Sequence, residues 1–213
     1  PNNILLLTFT RKAASEMLQR ASLLIDDRCI LVSGGTFHSL AHGVLRRYAH
    51  IIGFDNNFTV LDRTDMEDLV STIAKEKCIS SAAKVRFPKR STIVNIISKS
   101  ANQEKPLKEI IQDEFPQFID QSDSISYLSY LYKKYKRENH LLDYDDLMLY
   151  LRDLLKTHKD IREALGDKYR FILVDEYQDT NTIQADVLKW LSCKNRNIMV
   201  VGDDAQSIYS FRG

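Results

Sequence analysis

The order of strand-like and helix-like segments constrains the fold of this chain most strongly. Short apolar runs typical of buried strands lie near both ends of the chain, at residues 3–9, 30–33, 169–174 and 197–201. Amphipathic segments with helical spacing follow three of these runs, at residues 10–25, 36–50 and 181–191. Alternation of this kind predicts an α/β fold built on a parallel sheet.

The middle of the chain follows a different pattern. Between residues 53 and 142, helix-like segments succeed one another at 62–77, 88–101, 107–118 and 123–138. Two further helices are predicted at 143–156 and 160–165. We therefore expect an all-α insertion at residues 53–142, which divides the α/β domain into residues 1–52 and 143–213.

Charge is distributed unevenly, although the formal net charge is only +1. Residues 75–137 hold 13 Lys and Arg against 7 Asp and Glu, whereas residues 138–213 hold 10 against 14. The basic middle is interpreted either as a solvated helical surface or as a surface that faces nucleic acid.

Cysteine usage and hydropathy indicate a protein of a reducing cytosol. Cys29, Cys78 and Cys193 lie far apart, and their spacing fits neither a metal site nor a disulfide framework. The longest apolar runs, such as residues 4–7, are far shorter than the roughly 20 residues that cross a bilayer. We expect a cytoplasmic protein that does not interact with membranes.

The sharpest local signal is the sequence FILVDEYQDT at residues 171–180. Its strand, which we expect to be buried on both faces, delivers Asp175 and Glu176 to the sheet edge where ligands of open α/β folds bind. In phosphoryl transfer an aspartate at this place holds Mg²⁺, and the next acid can deprotonate the attacking water. The alternative is that both acids belong to a helix N-cap and first turn.

A second strand-like run ends in GDDAQSIYSFRG at residues 202–213. If this strand neighbours the first, Gln206 reaches the same sheet edge as Glu176. A glutamine there could hydrogen-bond the γ-phosphate or the attacking water and so sense the nucleotide. The alternative is a loop amide that satisfies backbone groups.

Five segments together resemble the motifs of the UvrD/PcrA/Rep family of superfamily 1 DNA helicases. VDEYQDTN (174–181) resembles motif II and VGDDAQSIYSFRG (201–213) resembles motif III. TFTRKAASEM (8–17) resembles motif Ia, GTFHSL (35–40) motif Ib, and LLDYDDLM (141–148) the segment that precedes motif II. All five occur in family order and together span nearly the whole chain.

The resemblance implies an ATP- and Mg²⁺-dependent motor that moves 3′ to 5′ on single-stranded DNA and unwinds duplex DNA in repair or replication. It implies a RecA-like (P-loop NTPase) sheet, here incomplete, with residues 1–52 and 143–213 in subdomain 1A and residues 53–142 in subdomain 1B. Asp175 would be the Mg²⁺ ligand, Glu176 the general base, and Gln206 the residue that couples the γ-phosphate to DNA. The implied partners are ATP, single-stranded and duplex DNA, and repair or replication proteins.

Candidate DNA-binding residues are also implied by the resemblance. The aromatic positions are Phe9, Tyr209 and Phe211, with Arg212 beside them, and the positions near the DNA backbone are Thr10, Lys12, Thr36 and His38. Stacking on an aromatic ring holds a base without reading sequence, at roughly 1–3 kcal/mol per base. Phe211 departs from the Trp of several family members, and we expect weaker stacking there. Core packing for Phe9 and Tyr209, helix capping for Thr10 and a structural role for His38 are the alternatives.

The phosphate-binding loop GxxxxGK[ST] does not occur in the sequence, since no glycine is followed by lysine. The resemblance places this loop ahead of residue 1 and a second RecA-like domain after residue 213. We therefore expect a fragment that by itself hydrolyses ATP negligibly. Two other functions stay open: a subunit of an AddA/RecB-type helicase–nuclease, and a non-catalytic DNA-binding domain derived from a helicase.

Overall fold

The computed structural model of the chain describes residues 1–79, 87–203 and 205. These residues form two compact units. Unit 1 contains the described residues of segments 1–52 and 147–213, and unit 2 contains those of segment 53–146.

The regular elements of the described residues are six strands and nine α-helices. In chain order they are β1 (Ile4–Thr8), α1 (Arg11–Leu24), β2 (Ser33–Thr36), α2 (Phe37–Tyr48), β3 (Thr59–Val60), α3 (Arg63–Glu76), α4 (Arg90–Gln103), α5 (Leu107–Glu114), α6 (Ser122–Glu138), β4 (Leu141–Leu142), α7 (Tyr144–Thr157), α8 (Lys159–Lys168), β5 (Phe171–Val174), α9 (Thr182–Ser192) and β6 (Ile198–Val200). Short 3₁₀ segments supplement them at Asp27–Leu31, Ala49–Ile52, Pro116–Gln121 and Tyr177–Asp179.

A four-stranded parallel sheet organises unit 1, in the order β2-β1-β5-β6. Leu7 pairs with Val174 and Val174 pairs with Val200, so the carboxyl ends of β1, β5 and β6 lie at one edge. The predicted α/β fold with a parallel sheet is confirmed for this unit, and so is the prediction that β5 and β6 are neighbours.

Local sequence explains how the helices of unit 1 begin. Thr10 caps α1 by accepting a hydrogen bond from the Ala13 amide at 3.1 Å, and Thr36 caps α2 by accepting one from the Ser39 amide at 3.2 Å. Gly34 allows α1 to pack closely on β2, because a Cβ at this position would lie 2.7 Å from Cδ1 of Leu18.

Two sequence predictions about the strands of unit 1 are wrong. The second strand is Ser33–Thr36 rather than residues 30–33, because a 3₁₀ segment capped by Asp26 occupies Asp27–Leu31. The strand β5 is buried on one face only: Phe171 and Leu173 are exposed, whereas Ile172 and Val174 are buried.

Unit 2 is mainly helical, but it also contains a pair of short parallel strands, β3 and β4. Its helices pack around one apolar core in which Val70, Ile96, Ile111 and Leu128 are fully buried. The expectation of a purely α-helical segment is therefore wrong in this detail. The strand pair connects the beginning of the unit to the segment that leads into α7.

One helix of unit 2 ends earlier than its apolar pattern predicts. Residues 107–118 read as one helix, but α5 ends at Glu114 and a 3₁₀ segment starts at Pro116. Proline lacks the amide proton that continues a helix and disfavours helical geometry in the residue before it. Phe115 accordingly has φ −134° and ψ 45°.

None of the described helices combines the length and the apolar character that a bilayer-spanning helix requires.

Candidate functional site

The carboxyl edge of the unit 1 sheet brings the first of the two predicted acids into position. Asp175 directly follows β5, and its backbone amide donates to the carbonyl of Leu7 at 2.9 Å. Its side chain is half-buried, and among the described residues its carboxylate has neither a hydrogen-bond nor an ion-pair partner. An anionic group so placed is available to bind a ligand.

The second acid has an unusual backbone. Glu176 lies in the left-handed region, with φ 55° and ψ 42°, and its side chain is exposed. Non-glycine residues rarely adopt this conformation, and those that do cluster at functional sites. The Glu176 carboxylate accepts a hydrogen bond from Nε2 of Gln178 at 2.6 Å.

Gln178 also contacts the loop that follows β6. Its Oε1 accepts a hydrogen bond from the amide of Asp203 at 3.0 Å. Backbone bonds reinforce the junction: the Val201 amide donates to the Val174 carbonyl at 2.8 Å, and the Tyr177 amide donates to the Val201 carbonyl at 2.9 Å. The two segments that follow β5 and β6 are therefore bonded to one another as well as to the sheet.

The interpretation of the two acids as a helix cap is wrong. The helix α9 begins at Thr182, and its cap is Asn181, whose side chain accepts from the Gln184 amide at 2.9 Å. Glu176 makes no side-chain capping bond. Both carboxylates thus lie outside the helix and are available for other chemistry.

The residues at this edge fit a hard divalent cation. Magnesium prefers oxygen ligands and is typically held by one or two carboxylates together with phosphate oxygens and water. The unpartnered carboxylate of Asp175 matches that requirement. A second oxygen nearby in sequence, Oδ1 of Asp179, is buried and has no hydrogen-bond partner among the described residues. Asp175 is therefore the residue that would hold the cation.

The candidate DNA-binding residues at the start of the chain follow the carboxyl ends of β1 and β2. Phe9 and His38 are half-buried, and both make contacts within the fold. The predicted capping role of Thr10 is confirmed, and Thr36 caps α2 in the same way. Lys12 is highly exposed and lies 3.8 Å from Glu16.

Two arginines, Arg11 of α1 and Arg46 of α2, lie close enough to His42 to act on its charge. Burial, together with the charges of Arg46 and Arg11, lowers the pKa of His42. Nε of Arg46 donates to Nε2 of His42 at 3.1 Å, which requires that nitrogen to be unprotonated. The surface therefore combines a neutral imidazole with guanidinium groups.

Four predicted site residues lie outside the described residues: Gln206, Tyr209, Phe211 and Arg212. Their roles stay predictions. The closest described position in the chain is Ala205, whose amide donates to Oδ1 of Asp203 at 3.0 Å. The amide of Asp203 in turn donates to Gln178.

Unit 2 contains a buried charged cluster, formed by residues of α6 and of the segment 141–146. Lys136 is 5% exposed and forms ion pairs with Asp143 and Asp146, and Tyr132 donates to Asp143 at 2.9 Å. Burial opposes the charge of Lys136, but the two carboxylates outweigh it and raise the pKa of the lysine. Burial and the charge of Asp143 raise the pKa of Asp146 to about 6.

Reciprocal hydrogen bonds give this cluster a structural role. The Asp146 amide donates to the Asp143 carboxylate at 2.9 Å, and the Asp143 amide donates to the Asp146 carboxylate at 3.0 Å, which caps the start of α7. Nδ2 of Asn102 donates to Asp145 at 2.7 Å. Within unit 2, the three aspartates thus attach the beginning of α7 to α6 and α4.

Sequence reasoning missed Gln178 and the Lys136 cluster. Gln178 lies two residues after Glu176, yet no periodicity distinguishes it from a loop residue. Lys136 appears in the sequence as one of several lysines on α6, and only its helical spacing from Tyr132 places it on the buried face. That spacing was the available signal.

Comparison with known proteins agrees with the motif resemblance. The family model "UvrD/REP helicase N-terminal domain" matches residues 1–213. An "ATP-dependent DNA helicase PcrA" of Staphylococcus aureus is 36% identical over 213 residues, which cover 100% of this chain and 28% of that protein. A protein of the same name from Staphylococcus epidermidis is 38% identical over 216 residues, again with 100% and 28% coverage. The chain therefore belongs to the UvrD/REP helicase N-terminal domain family.

Proposed function

We propose that this chain forms part of an ATP-dependent DNA helicase that moves 3′ to 5′ on single-stranded DNA in repair or replication. The chain spans 28% of the length of the curated relatives that it matches. The activity is therefore to be tested in the protein that contains the chain. Family membership and the position of Asp175 and Glu176 at the carboxyl edge of the sheet support the proposal.

In this proposal unit 1 is part of a RecA-like subdomain 1A and unit 2 is subdomain 1B. The parallel sheet and its short loops after β1, β2 and β5 are typical of nucleotide-binding α/β folds, in which ligands bind beyond the carboxyl ends of the strands. We place the activity in the bacterial cytosol, in keeping with the sources of the relatives.

The observation that best supports a nucleotide site is that the adjacent carboxylates of Asp175 and Glu176 have different surroundings. Asp175 is half-buried and unpartnered among the described residues, which suits a residue that holds Mg²⁺. Bound Mg²⁺ would supply charge neutralisation for the β- and γ-phosphates of ATP. Glu176 is exposed and hydrogen-bonded through one oxygen, which leaves the other able to accept a proton from water. Gln206 would couple the γ-phosphate to DNA.

Single-stranded DNA is proposed to lie across the loops that follow β1 and β2. The ring of Phe9 would stack on a base, and Thr10, Lys12, Thr36 and His38 would contact the backbone. Helix capping by the two threonines is compatible with this role, because a capping hydroxyl can still donate its proton to a phosphate oxygen. Tyr209, Phe211 and Arg212 would complete the track.

The substitution Asp175→Asn tests the metal role in the protein that contains this chain. It preserves size but removes the charge that holds Mg²⁺, so we expect ATP turnover to fall at least about tenfold and the Mg²⁺ concentration for half-maximal turnover to rise. The matched control is Asp167→Asn. Asp167 precedes β5 by four positions, lies toward the amino edge of the sheet and pairs with Lys194 at 2.6 Å.

Turnover and magnesium dependence should be unchanged in Asp167→Asn. Wild-type turnover at wild-type Mg²⁺ concentrations in Asp175→Asn would contradict the metal role.

The direction of movement on DNA is tested separately with partial duplexes that carry a single-stranded tail at one end. Unwinding should require a 3′ tail, and equal unwinding from a 5′ tail would contradict the proposed direction.

A further inference from the structure

We infer that Gln178 is a positioning residue for ATP hydrolysis, which holds the carboxylate of Glu176 and attaches it to the loop after β6. The inference rests on the proposed function. It adds a role for a residue that touches neither nucleotide nor metal in the proposed mechanism. Its basis is one side-chain amide with two different partners, Glu176 at 2.6 Å and Asp203 at 3.0 Å.

The chemistry of the two partners determines the orientation of the amide. A backbone N–H of Asp203 can only donate, so it must face the Oε1 acceptor of Gln178. Nε2 is then directed at Glu176, whose ionised carboxylate can only accept. A side chain of this length needs one acceptor and one donor to serve both partners. Glutamate of the same length lacks the donor, and methionine lacks both strong hydrogen-bonding groups.

The position of Glu176 explains why it needs such support. Its side chain is exposed and its backbone is in the left-handed region. Neither a regular helix nor a strand therefore fixes the direction of its carboxylate. A general base has to lie within hydrogen-bond reach of the attacking water, and small misplacements lower the rate strongly. The hydrogen bond from Gln178 restricts the carboxylate to one place without occupying its second oxygen.

Gly202 supplies an independent observation. A Cβ on Gly202 would lie 3.2 Å from the backbone nitrogen of Gln178 and 3.3 Å from that of Tyr177, which is closer than a Cβ normally comes to backbone atoms. The absence of a side chain at 202 is therefore what allows the loop after β6 to approach Gln178 closely. Together with the backbone bond between Tyr177 and Val201, this close approach couples the position of the loop to that of Glu176.

Two substitutions at 178 distinguish positioning from simple support of the loop. Gln178→Met keeps the size but removes both hydrogen bonds. Gln178→Glu keeps an acceptor for Asp203 but places a second carboxylate against Glu176. When that introduced carboxyl group takes up a proton it becomes a donor, and the bond to Glu176 is restored.

The experiment measures ATP turnover with saturating single-stranded DNA in the full-length protein that contains this chain, between about pH 8 and about pH 6. We expect kcat to fall about tenfold or more in both variants at the upper pH, with KM for ATP changed less than about twofold. The ratio of variant to wild-type kcat should rise as the pH is lowered for Gln178→Glu and stay flat for Gln178→Met.

Each outcome bears on one inference. Wild-type kcat in Gln178→Met, or the same pH-independent loss in both variants, would overturn the positioning role. The variant Glu176→Gln is measured alongside them. If it retains wild-type turnover, the proposed function of Glu176 fails; if it loses turnover while Gln178→Met does not, only the inference about Gln178 fails. Thermal unfolding of all variants shows whether each one is folded.

Discussion

At the scale of single residues, partners rather than residue type distinguish the carboxylates of this chain. Asp175 has no side-chain partner among the described residues, Glu176 has one amide, and Asp143 has a lysine, a tyrosine and a backbone amide. Carboxylates whose acceptor positions are filled stabilise the fold, whereas those with open positions can bind ligands. Asp143 therefore belongs to the structure and Asp175 to the proposed chemistry.

The buried cluster in unit 2 predicts a pH dependence of stability. The pKa of Asp146 is raised from 3.8 to about 6, so the folded chain binds this proton more tightly than the unfolded chain does. The resulting stabilisation is complete below the unfolded value and is lost as the pH rises through about 6. Between about pH 4 and about pH 6, we expect the unfolding free energy of Asp146→Asn to fall less steeply with pH than that of the wild type. The difference in slope is at most about 1.4 kcal/mol per pH unit.

Chemical denaturation of the chain at several pH values measures this slope. Asp113→Asn is the control, because Asp113 is an exposed aspartate of the same unit. Its slope should equal that of the wild type. A wild-type slope in Asp146→Asn would show that another group is responsible.

Individual site residues could be predicted from the sequence only where a strand determines their place. Asp175 is predictable because it follows an apolar strand whose carboxyl end forms the ligand-binding edge. Gln178 is not, since its role depends on a loop that approaches from residues 201–203. For the Asp143–Lys136 pair, helical spacing places Lys136 on the buried face of α6, but no sequence period indicates its contact with Asp143.

At the scale of elements, periodic patterns predict where helices lie but not always where they end. The predicted segment 123–138 agrees with α6 within one residue, and its apolar face is the buried one. The segment 107–118 was predicted one turn too long because Pro116 interrupts it. The strand β2 was misplaced because its sequence, SGGT, has no apolar signal.

The exposed face of α6 carries aromatic and basic side chains, which are residue types that suit contacts with nucleic acid. Tyr127 and Tyr130 are 51% and 60% exposed, and Lys133 and Lys134 follow them on the same side of the helix. If unit 2 contacts duplex DNA, Lys133→Glu with Lys134→Glu should weaken DNA binding about tenfold at low salt and reduce its salt dependence.

The control reverses the same number of charges elsewhere. Lys156 and Lys159 are exposed residues of unit 1, and their double replacement by Glu changes the net charge equally. DNA affinity is measured by titration at several salt concentrations. Equal losses in both double variants would indicate a general charge effect and would argue against a specific role of α6.

At the scale of the whole molecule, the change near residue 53 from alternating strands and helices to successive helices predicts that a separate structural unit begins there. The structure has a compact unit at 53–146, with a core of residues from α3 to α6. The pair β3 and β4 escaped prediction because strands of two residues show no alternation. The exposed face of β5 could not be predicted, because the apolar composition of a strand does not show which of its faces are covered.

The stability of unit 2 should depend on its core rather than on its surface. Leu128 is fully buried, whereas its neighbour Tyr127 is 51% exposed on the same helix. We expect Leu128→Ala to lower the unfolding free energy by about 2–5 kcal/mol and Tyr127→Ala to change it by less than about 1 kcal/mol. Denaturant unfolding measures both, and similar losses would contradict the assignment of the core.

The central claim is that Glu176, held at the carboxyl edge of the sheet, removes a proton from the water that attacks ATP. The most direct measurement is DNA-stimulated ATP turnover of Glu176→Gln in the protein that contains this chain, together with nucleotide affinity. We predict that turnover falls by about 100-fold or more while nucleotide affinity changes less than about threefold. Wild-type turnover in this variant would contradict the claim.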